Sequence, residues 1–414
     1  MVATASLELG IDIGRLDRII QIGAPMSVSA FVQRLGRSGR RSGISQMYFC
    51  SQEVPSAADS PLDRIPWTLV KTIAIIQLYL EEQWTEDAGY KPLPYSLLCH
   101  QTLAVLGSIG EQKEEELCAV VLSFPPFGEI TKQDYLELLL CLEKGGYIEK
   151  TEEGKYIVGL EGERIINHYT FYSVFPDEQE FRVLYMGNEL GRVNFIPPEG
   201  SGLVLGGRYW RVEDLRLKNR EICVIPGGEQ GAQIWRGGTG TLHTKVVQRM
   251  RQVLLEKRQY PYLTAGAARR LGEGREFAAE VKIGGSIFPD LQQQDGRKSG
   301  SGAHSNFFML PWIGSRGIRT LSLLMQKKEN REILKITRLE QENPYAYRIA
   351  SGMAAEDFQN ELKRIIGNTA NAETLVNPER IPFTDKYDYL LPPKFLIKQY
   401  AANMLCLAEL DFLY

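Results

Sequence analysis

The order of apolar and polar residues predicts a strand and an amphipathic helix early in the chain. The β-branched run Arg18–Ile22 is typical of a strand in a buried parallel sheet. Ser27 is a suitable N-cap for the helix that follows. The apolar face of that helix repeats at helical spacing and consists of Val28, Phe31, Val32 and Leu35. Its opposite side carries Gln33 and Arg34, so one face is expected to pack inward and the other to meet solvent.

The next elements predict a strand, a connecting helix and a winged helix. Ser45–Cys50 is expected to form the strand and Trp67–Gln83 the connecting helix, after the Pro- and Ser-rich stretch Val54–Pro66. Three helices are then predicted, over Leu97–Leu106, Glu114–Phe124 and Lys132–Lys144. A two-stranded hairpin follows them, over Gly145–Lys150 and Lys155–Val158. Three helices and a hairpin in this order are typical of a winged helix.

The third helix of this winged helix is acidic. Its polar residues include Gln133, Asp134, Glu137 and Glu143. The carboxylates of such a helix repel phosphates, which favours a structural role in which the winged helix packs as a wedge between neighbouring domains. The alternative is a helix that reads the major groove of DNA.

From about Phe181 the pattern changes to short strands separated by polar and glycine-containing breaks. The strand segments are FRVLYMG, ELGRVNFI, GLVLGGRYWRVEDL and EICVIPG, which predict a small barrel or curled sheet over about 180–236. Trp210 lies within one of these strands and is expected to be a core residue. A Trp-Arg-Gly-Gly turn at Trp235 then leads into a basic helix. Strands and helices alternate afterwards, and the last predicted helix is Pro393–Leu410.

The length of the chain fits a multidomain protein, and its charge predicts no strong overall electrostatic field. A chain of 414 residues suggests about two to four domains. We expect an α/β unit at 1–60, a connecting helix at 61–95, a winged helix at 96–175 and an accessory domain at 176–414. The fold class is therefore multidomain α/β and α+β. The formal net charge is −3, so polyanion binding has to come from local clusters.

Cysteine, histidine and apolar patterns exclude several other classes of protein. The six cysteines are scattered, which predicts reduced, buried thiols, no metal site and a cytoplasmic protein. The four histidines have no ligand spacing. The longest apolar run, Trp67–Leu80, is interrupted by Lys71 and Gln77 and is too short for a bilayer span, so no membrane partner is expected.

Arginines alternate with glycines directly after the first predicted helix, in Gly36-Arg-Ser-Gly-Arg-Arg41. Glycines keep this backbone slim, and guanidinium groups bind phosphates in a bidentate manner. Arginines in such a place can neutralise charge that develops on a transferred phosphoryl group. A solvated basic turn is the alternative.

Two segments resemble helicase motifs. TASLELGIDI at 4–13 looks like motif V, and QRLGRSGR at 33–40 looks like motif VI, of the second RecA-like lobe of DEAD/DEAH-box superfamily helicases. The resemblance implies that Gln33, Arg37 and Arg40 face the ATP γ-phosphate, with the two arginines as finger candidates. It places the remaining residues in the loop that couples nucleotide to nucleic acid, with Asp12 and Gly10 nearer the nucleotide and Thr4 nearer a strand phosphate. Arg34 is either part of this set or a salt-bridge partner that holds the lobe together, and Arg41 is expected to be a surface charge. The resemblance implies that residues 1–60 are a partial second RecA-like lobe.

Two motifs that ATP hydrolysis requires are missing from the chain. It contains neither a G-x-x-x-x-G-K-[ST] phosphate loop nor an acidic metal-binding motif. Both belong to the first helicase lobe, which is therefore the implied N-terminal partner. ATP and Mg²⁺ are expected to bind only together with that lobe, and the chain alone is expected not to hydrolyse ATP.

The later sequence resembles the accessory region of the Lhr (large helicase-related) group. The resemblance rests on Gly-Arg-x-Trp-x-Val at 207–212 and on Trp-Arg-Gly at 235–237, and it covers most of residues 1–320. It implies an ATP-dependent DNA helicase that moves 3′ to 5′, with single-stranded or partly duplex DNA as partner. A non-enzymatic nucleic-acid-binding or assembly module is the alternative. The oligomeric state stays open.

Trp235 is the best sequence candidate for stacking on a single-stranded base. Basic residues around it would follow the nucleic-acid backbone, namely Arg236, Lys245, Arg249 and Arg251. A core tryptophan that braces the sheet is an equally supported interpretation. Further along, Arg316 and Arg319 open a predicted helix, where they can contact either a phosphate or local acids.

Overall fold

The structure of the chain is a computed structural model that describes residues 16–39, 45–53, 60–87, 89, 91–175, 180–193, 202–205, 208–216, 219–227, 241–290 and 305–413. Its helices are α1 (Val28–Leu35), α2 (Trp67–Glu82), α3 (Tyr95–Ile109), α4 (Glu114–Val121), α5 (Lys132–Lys144), α6 (Leu160–Ile166), α7 (Thr244–Leu255), α8 (Ala265–Glu280), α9 (Ser315–Gln326), α10 (Lys328–Ile333), α11 (Ala355–Asn368) and α12 (Pro393–Met404). Its strands are β1 (Ile19–Ile22), β2 (Met47–Cys50), β3 (Gln112–Lys113), β4 (Ile148–Lys150), β5 (Lys155–Val158), β6 (Phe181–Tyr185), β7 (Asn188–Val193), β8 (Gly202–Leu205), β9 (Arg208–Arg216), β10 (Glu221–Pro226), β11 (Ile287–Pro289), β12 (Ser305–Met309), β13 (Ile336–Asn343) and β14 (Ala346–Ser351).

The first unit pairs two parallel strands with one helix. β1 and β2 run parallel in the register Ile19↔Met47 to Ile22↔Cys50. The inner face of the pair packs on α1, while Ile20, Ile22 and Tyr48 are exposed on its outer face. The predicted strands and helix are thus present, and the parallel pairing is confirmed.

The connecting helix α2 belongs to a core that joins distant parts of the sequence. Its buried face, which includes Val70 and Ile73, packs with residues of α7 and α8 such as Val247 and Phe277. Trp67 at the start of α2 stacks on Tyr345, with ring centroids 4.9 Å apart. The early part of the chain therefore shares one hydrophobic core with segments after residue 240.

Residues 95–158 form three helices and a small antiparallel sheet in the predicted order. The sheet has the strand order β3-β5-β4, so a short strand ahead of α4 joins the predicted hairpin. Two acidic residues of α5 contact α12: Asp134 accepts from Lys398 Nζ at 2.6 Å, and Glu137 pairs with Lys394. Asp134 also accepts from the hydroxyl of Tyr95 in α3, at 2.7 Å. This part of α5 is thus engaged with another segment of the protein.

The strands after residue 180 form an open sheet rather than a barrel. Their order is β7-β6-β10-β9-β8. β7 pairs with β6 and β8 with β9, and within the described residues the two edge strands do not meet, so the barrel-like interpretation of 180–236 is corrected. Trp210 is 7% exposed and its ring lies 5.1 Å from that of Tyr185, which confirms it as a core residue.

The remaining residues build a second antiparallel sheet with helices against it. Its strand order is β11-β12-β14-β13, and it shares a core with α9 and α11. The predicted final helix Pro393–Leu410 ends earlier, at Met404, because Leu405 adopts an extended backbone with φ −113° and ψ 160°. No helix in the described ranges is long and apolar enough to cross a bilayer. The thiols of the six cysteines are all free, but only Cys99 and Cys118 are buried and Cys50 is exposed, which corrects the prediction of buried thiols.

Candidate nucleotide and nucleic-acid site

Helix α1 carries the described part of the motif VI-like segment, and its own residues fix where it begins. The Ser27 hydroxyl accepts from the backbone nitrogen of Ala30 at 3.0 Å, which is the predicted N-cap. The Phe31 ring packs edge-on against Tyr79 of α2 at 5.5 Å and lies 6.0 Å from Phe49 of β2. The helix is therefore held between the strand pair and α2.

A second cap at this helix comes from far along the sequence. The Glu86 carboxylate accepts from the backbone nitrogens of Val28 and Ser29 and from the Ser29 hydroxyl, each at 2.9 Å. Partial burial acts to raise the pKa of Glu86, but these hydrogen bonds outweigh it and hold the pKa below its ordinary value. An anion at a helix N-terminus also interacts favourably with the helix dipole.

A partly buried lysine, Lys71, lies in the electrostatic range of Glu86. Burial lowers the pKa of Lys71 to about 8, against a smaller upward effect of the Glu86 carboxylate. Lys71 lies on α2, which packs against α1, and Glu86 caps α1. The interaction of Lys71 with Glu86 therefore links α2 to the cap of α1.

The motif VI-like side chains differ in their surroundings. Gln33 is exposed, and Arg34 reaches back to hydrogen-bond the Gln21 side chain of β1. Arg34 thus contacts its own unit through the neutral amide of Gln21, and the predicted salt bridge stays a prediction. Arg37 is partly exposed, and within the described ranges its side chain makes no hydrogen bond or ion pair.

The turn that carries Arg37 is fixed by its neighbour Ser38. The Ser38 hydroxyl donates to the Leu35 carbonyl at 2.9 Å and accepts from the backbone nitrogen of Gln46 at 3.2 Å. Gly39 follows with φ +76°, a conformation that favours glycine, and its nitrogen bonds the Leu16 carbonyl at 3.2 Å. The Arg37 backbone is consequently held in place while its guanidinium stays available.

Several predicted site residues lie outside the described ranges. They are Thr4, Gly10, Asp12, Arg40, Arg41, Trp235 and Arg236. Their assignments stay predictions from the sequence.

Two described basic residues of the predicted nucleic-acid path, Lys245 and Arg249, already have acidic partners. Lys245 Nζ lies 2.6 Å from a Glu82 carboxylate oxygen and 5.0 Å from the centre of the Trp84 ring. Arg249 pairs with Glu81 at 2.5 Å. Both cations could reach a phosphate only by exchanging or sharing these carboxylates.

The other arginines with predicted phosphate contacts serve the protein backbone. Arg251 donates to the Gly284 carbonyl. Arg316 donates to the carbonyls of Ala402 and Leu405, and Arg319 to that of Met404. Arg316 and Arg319 therefore donate to backbone carbonyls at the C-terminal end of α12. The sequence had predicted a phosphate or local acids as their partners.

The arrangement at Arg37 fits an anionic group such as the γ-phosphate of ATP. A guanidinium on a fixed turn, with no partner among the described residues, can form charge-assisted hydrogen bonds with phosphate oxygens. The described residues contain no group of three or more His, Cys, Asp or Glu that could hold a metal ion. The chemistry that these residues support is charge neutralisation on a phosphate.

Two residues near α1 were not identified from the sequence. They are Glu86, which caps α1, and Lys71 of α2, which interacts electrostatically with Glu86. Glu86 lies in a polar stretch and Lys71 within an apolar helix, and neither is part of a motif. Only the interruption of the apolar run by Lys71 marks its position.

Comparison with known proteins gives a consistent result. Residues 1–42 match the helicase conserved C-terminal domain. The ATP-dependent helicase Lhr-Core of Methanocaldococcus jannaschii is 27% identical over 235 residues, covering 51% of this chain and 24% of that protein. The Lhr helicase/uracil glycosylase of Escherichia coli is 28% identical over 269 residues, covering 57% of this chain and 16% of that protein.

A solved structure also shares the fold. The structure of Mycobacterium smegmatis helicase Lhr bound to ssDNA and AMP-PNP superimposes with a TM-score of 0.57 and 17% identity, covering 99% of this chain and 54% of that one. The matches to the two curated relatives span a quarter of their length or less. The chain thus resembles a C-terminal portion of an Lhr-like helicase.

Proposed function

We propose that the chain supplies the arginine-bearing side of the ATP site in an ATP-dependent DNA helicase. The observation that carries this proposal is Arg37. Its backbone is fixed by Ser38 and Gly39, and its guanidinium has no partner in the described part of the chain. An arginine held in this way can neutralise charge on a transferred phosphoryl group without reorganising first.

The other motif residues complete the proposed site. Gln33 and Arg40 act with Arg37 on the γ-phosphate, and Arg40 is the second finger. Gly10 and Asp12 lie in the loop between nucleotide and nucleic acid, and Thr4 contacts a strand phosphate. Mg²⁺ and the phosphate loop belong to a first lobe, so the chain alone is inactive as an ATPase.

The proposed nucleic-acid partner is DNA, single-stranded or partly duplex. The structural neighbour from Mycobacterium smegmatis is bound to ssDNA and to AMP-PNP, which supports DNA as the nucleic-acid partner and ATP as the nucleotide. In this proposal Trp235 stacks on a base, and Arg236, Lys245 and Arg249 lie along the strand. For Lys245 and Arg249 this requires a phosphate to compete with Glu82 and Glu81.

The test supplies the missing lobe. A segment that carries a first RecA-like lobe, with a phosphate loop and an acidic motif, together with the rest of the second lobe is fused ahead of Met1, and DNA-stimulated phosphate release is measured. We expect hydrolysis by the fusion and none by the chain alone. Arg37→Ala is expected to lower kcat by about a hundredfold or more, because finger arginines contribute at least that much.

Arg18→Ala is the matched control. Arg18 is an exposed arginine of the same unit whose side chain contacts only Gln46 among the described residues, at 3.2 Å. Equal hydrolysis by the two variants would contradict the proposal. A chain that binds DNA while every fusion lacks hydrolysis would favour the non-enzymatic binding module instead.

A further inference from the structure

Three aromatic side chains stand in solvent directly after α6. Tyr169 is 79% exposed, Tyr172 89% and Phe175 77%. Large aromatic rings normally contribute their area to a core or an interface, so a group of bare rings within seven residues of sequence indicates a contact surface.

The backbone beneath these rings is anchored. Phe171, between the two tyrosines, is 8% exposed, and its ring lies 4.4 Å from that of His100. Its carbonyl oxygen lies 2.8 Å from Nε2 of His100, a buried histidine whose pKa is lowered by burial. Lys386 Nζ donates to the carbonyls of Thr170 and, at 2.9 Å, of Ser173. The rings therefore project from a fixed segment.

The geometry of this segment aligns the two tyrosines. Tyr169–Tyr172 form one 3₁₀ helix, with Phe171 bonded through its nitrogen to the His168 carbonyl at 2.9 Å. In a 3₁₀ helix, side chains three residues apart lie above one another with an axial separation of about 6 Å. Tyr169 and Tyr172 thus share one side of the turn, while Phe171 occupies another and enters the core.

Charged residues of both signs lie near this turn, because Asp177, Glu178 and Glu180 follow Phe175 in the sequence and Lys386 bonds to the backbone of the turn. Lys386 makes no ion pair with a described residue, so a positive charge lies beside the turn. The His168 ring contacts the Tyr169 ring at 4.6 Å and widens the aromatic surface. The nearest charged pair on α6, Glu161 with Arg164, is internally neutralised.

The geometry points to a base-stacking platform for single-stranded nucleic acid, formed by Tyr169 and Tyr172 and extended by Phe175. The inference rests on the proposed function for its ligand class, and it adds a site that no motif of the sequence marks. Bases stack on aromatic side chains irrespective of sequence because each base has a flat π face. Tyr169 and Tyr172 would accept two neighbouring bases, whereas Lys386 could reach a phosphate only beside or in place of its bonds to the Thr170 and Ser173 carbonyls.

The experiment measures binding of a fluorescently labelled oligothymidine to the chain by anisotropy over a salt series, without nucleotide or first lobe. Tyr169→Ala/Tyr172→Ala is expected to weaken binding about tenfold or more, since each lost stack costs about 5-fold to 150-fold. The slope against salt should not change, because stacking releases no counterions. Tyr169→Phe/Tyr172→Phe keeps both rings and should bind like the unchanged protein.

Tyr48→Ala removes an equally polar ring, 52% exposed on β2, and serves as the control for unspecific loss of an aromatic side chain. Circular dichroism verifies folding of each variant. Unchanged binding by the alanine pair would overturn the platform and assign these rings to a protein contact. Absence of any binding by the unchanged chain would overturn it as well. Neither result touches the Arg37 test, which reports phosphate release.

Discussion

The carboxylate of Glu86 bonds both the backbone nitrogen and the hydroxyl of Ser29 at 2.9 Å, across 57 residues of sequence. The segment after α2 thereby holds the helix that presents Gln33 and Arg37. A change in the position of α2 would reach the proposed ATP site through this contact.

Glu86→Gln is expected to destabilise the start of α1 by about 1 kcal/mol, the usual cost of a lost cap. An amide keeps one accepting oxygen, whereas Val28 and Ser29 need two. Because the folded pKa of Glu86 lies below its ordinary value of 4.5, its contribution is complete above that value and disappears as the pH falls through the folded pKa.

Hydrogen exchange at the amides of Val28 and Ser29 measures this change. Faster exchange at α1 with little change in the winged-helix segment is the expected pattern. Glu129→Gln, an exposed acid without a partner in the described ranges, is the control. Identical exchange in both variants would show that Ser27 alone caps the helix.

Lys71→Met is expected to stabilise the protein at pH 7 by about 2–3 kcal/mol, because a partly buried lysine with a pKa near 8 resists protonation in the folded state. The unfolded chain binds more protons than the folded one between about pH 8 and 10.5, so the stability of the unchanged protein rises over that range. The advantage of the variant should shrink there. Urea unfolding at pH 7 and pH 10 measures it, with the exposed Lys144→Met as control; a constant difference between the two pH values would contradict the assignment.

Two glycines of α8 should respond to alanine with opposite signs. A Cβ at Gly274 would lie 2.5 Å from Cδ of Pro66, so Gly274→Ala should cost about 1–3 kcal/mol through overpacking. A Cβ at Gly272 meets nothing within 4 Å, so Gly272→Ala should gain about 0.5–1 kcal/mol of helix propensity. Thermal unfolding of the two variants side by side checks both. Equal shifts would mean that α8 does not approach Pro66 this closely.

Glu81→Gln tests the proposed nucleic-acid role of Arg249. Glu81 is the shared partner of Arg249 and Arg258, and its removal leaves two cations unneutralised. If the strand passes here, single-stranded DNA should bind more tightly and the salt slope should steepen by about one contact. Stability should fall by about 1–3 kcal/mol, because the Arg249 side chain is only 13% exposed and loses a charged partner. A lower melting temperature with unchanged DNA affinity would make Arg249 a structural residue.

Local patterns predicted the elements of this fold well where neighbours in sequence decide the structure. The Ser27 cap, the α1 apolar face and the core position of Trp210 all follow from short-range spacing. The end of the last helix did not, because Leu405 is extended although the apolar pattern continues to Leu410.

Long-range partners could not be read from the sequence. Glu81 and Lys245 belong to segments more than 160 residues apart, so the neutralisation of the basic helix depends on how α2 meets α7. The sheet after residue 180 shows the same limit, since evenly spaced strands do not determine whether the two edges meet. Motif residues, by contrast, can be located without knowing any partner.

The bare outer face of β1 and β2 has a consequence for handling the protein. Ile20 and Ile22 are 68% and 73% exposed, on a parallel pair of strands, a type of sheet that is usually covered on both sides. Such a face favours self-association as the concentration rises. Light scattering by concentrated samples should therefore fall when Ile20 is replaced by lysine. The self-association of the protein thus reports whether another segment covers this face.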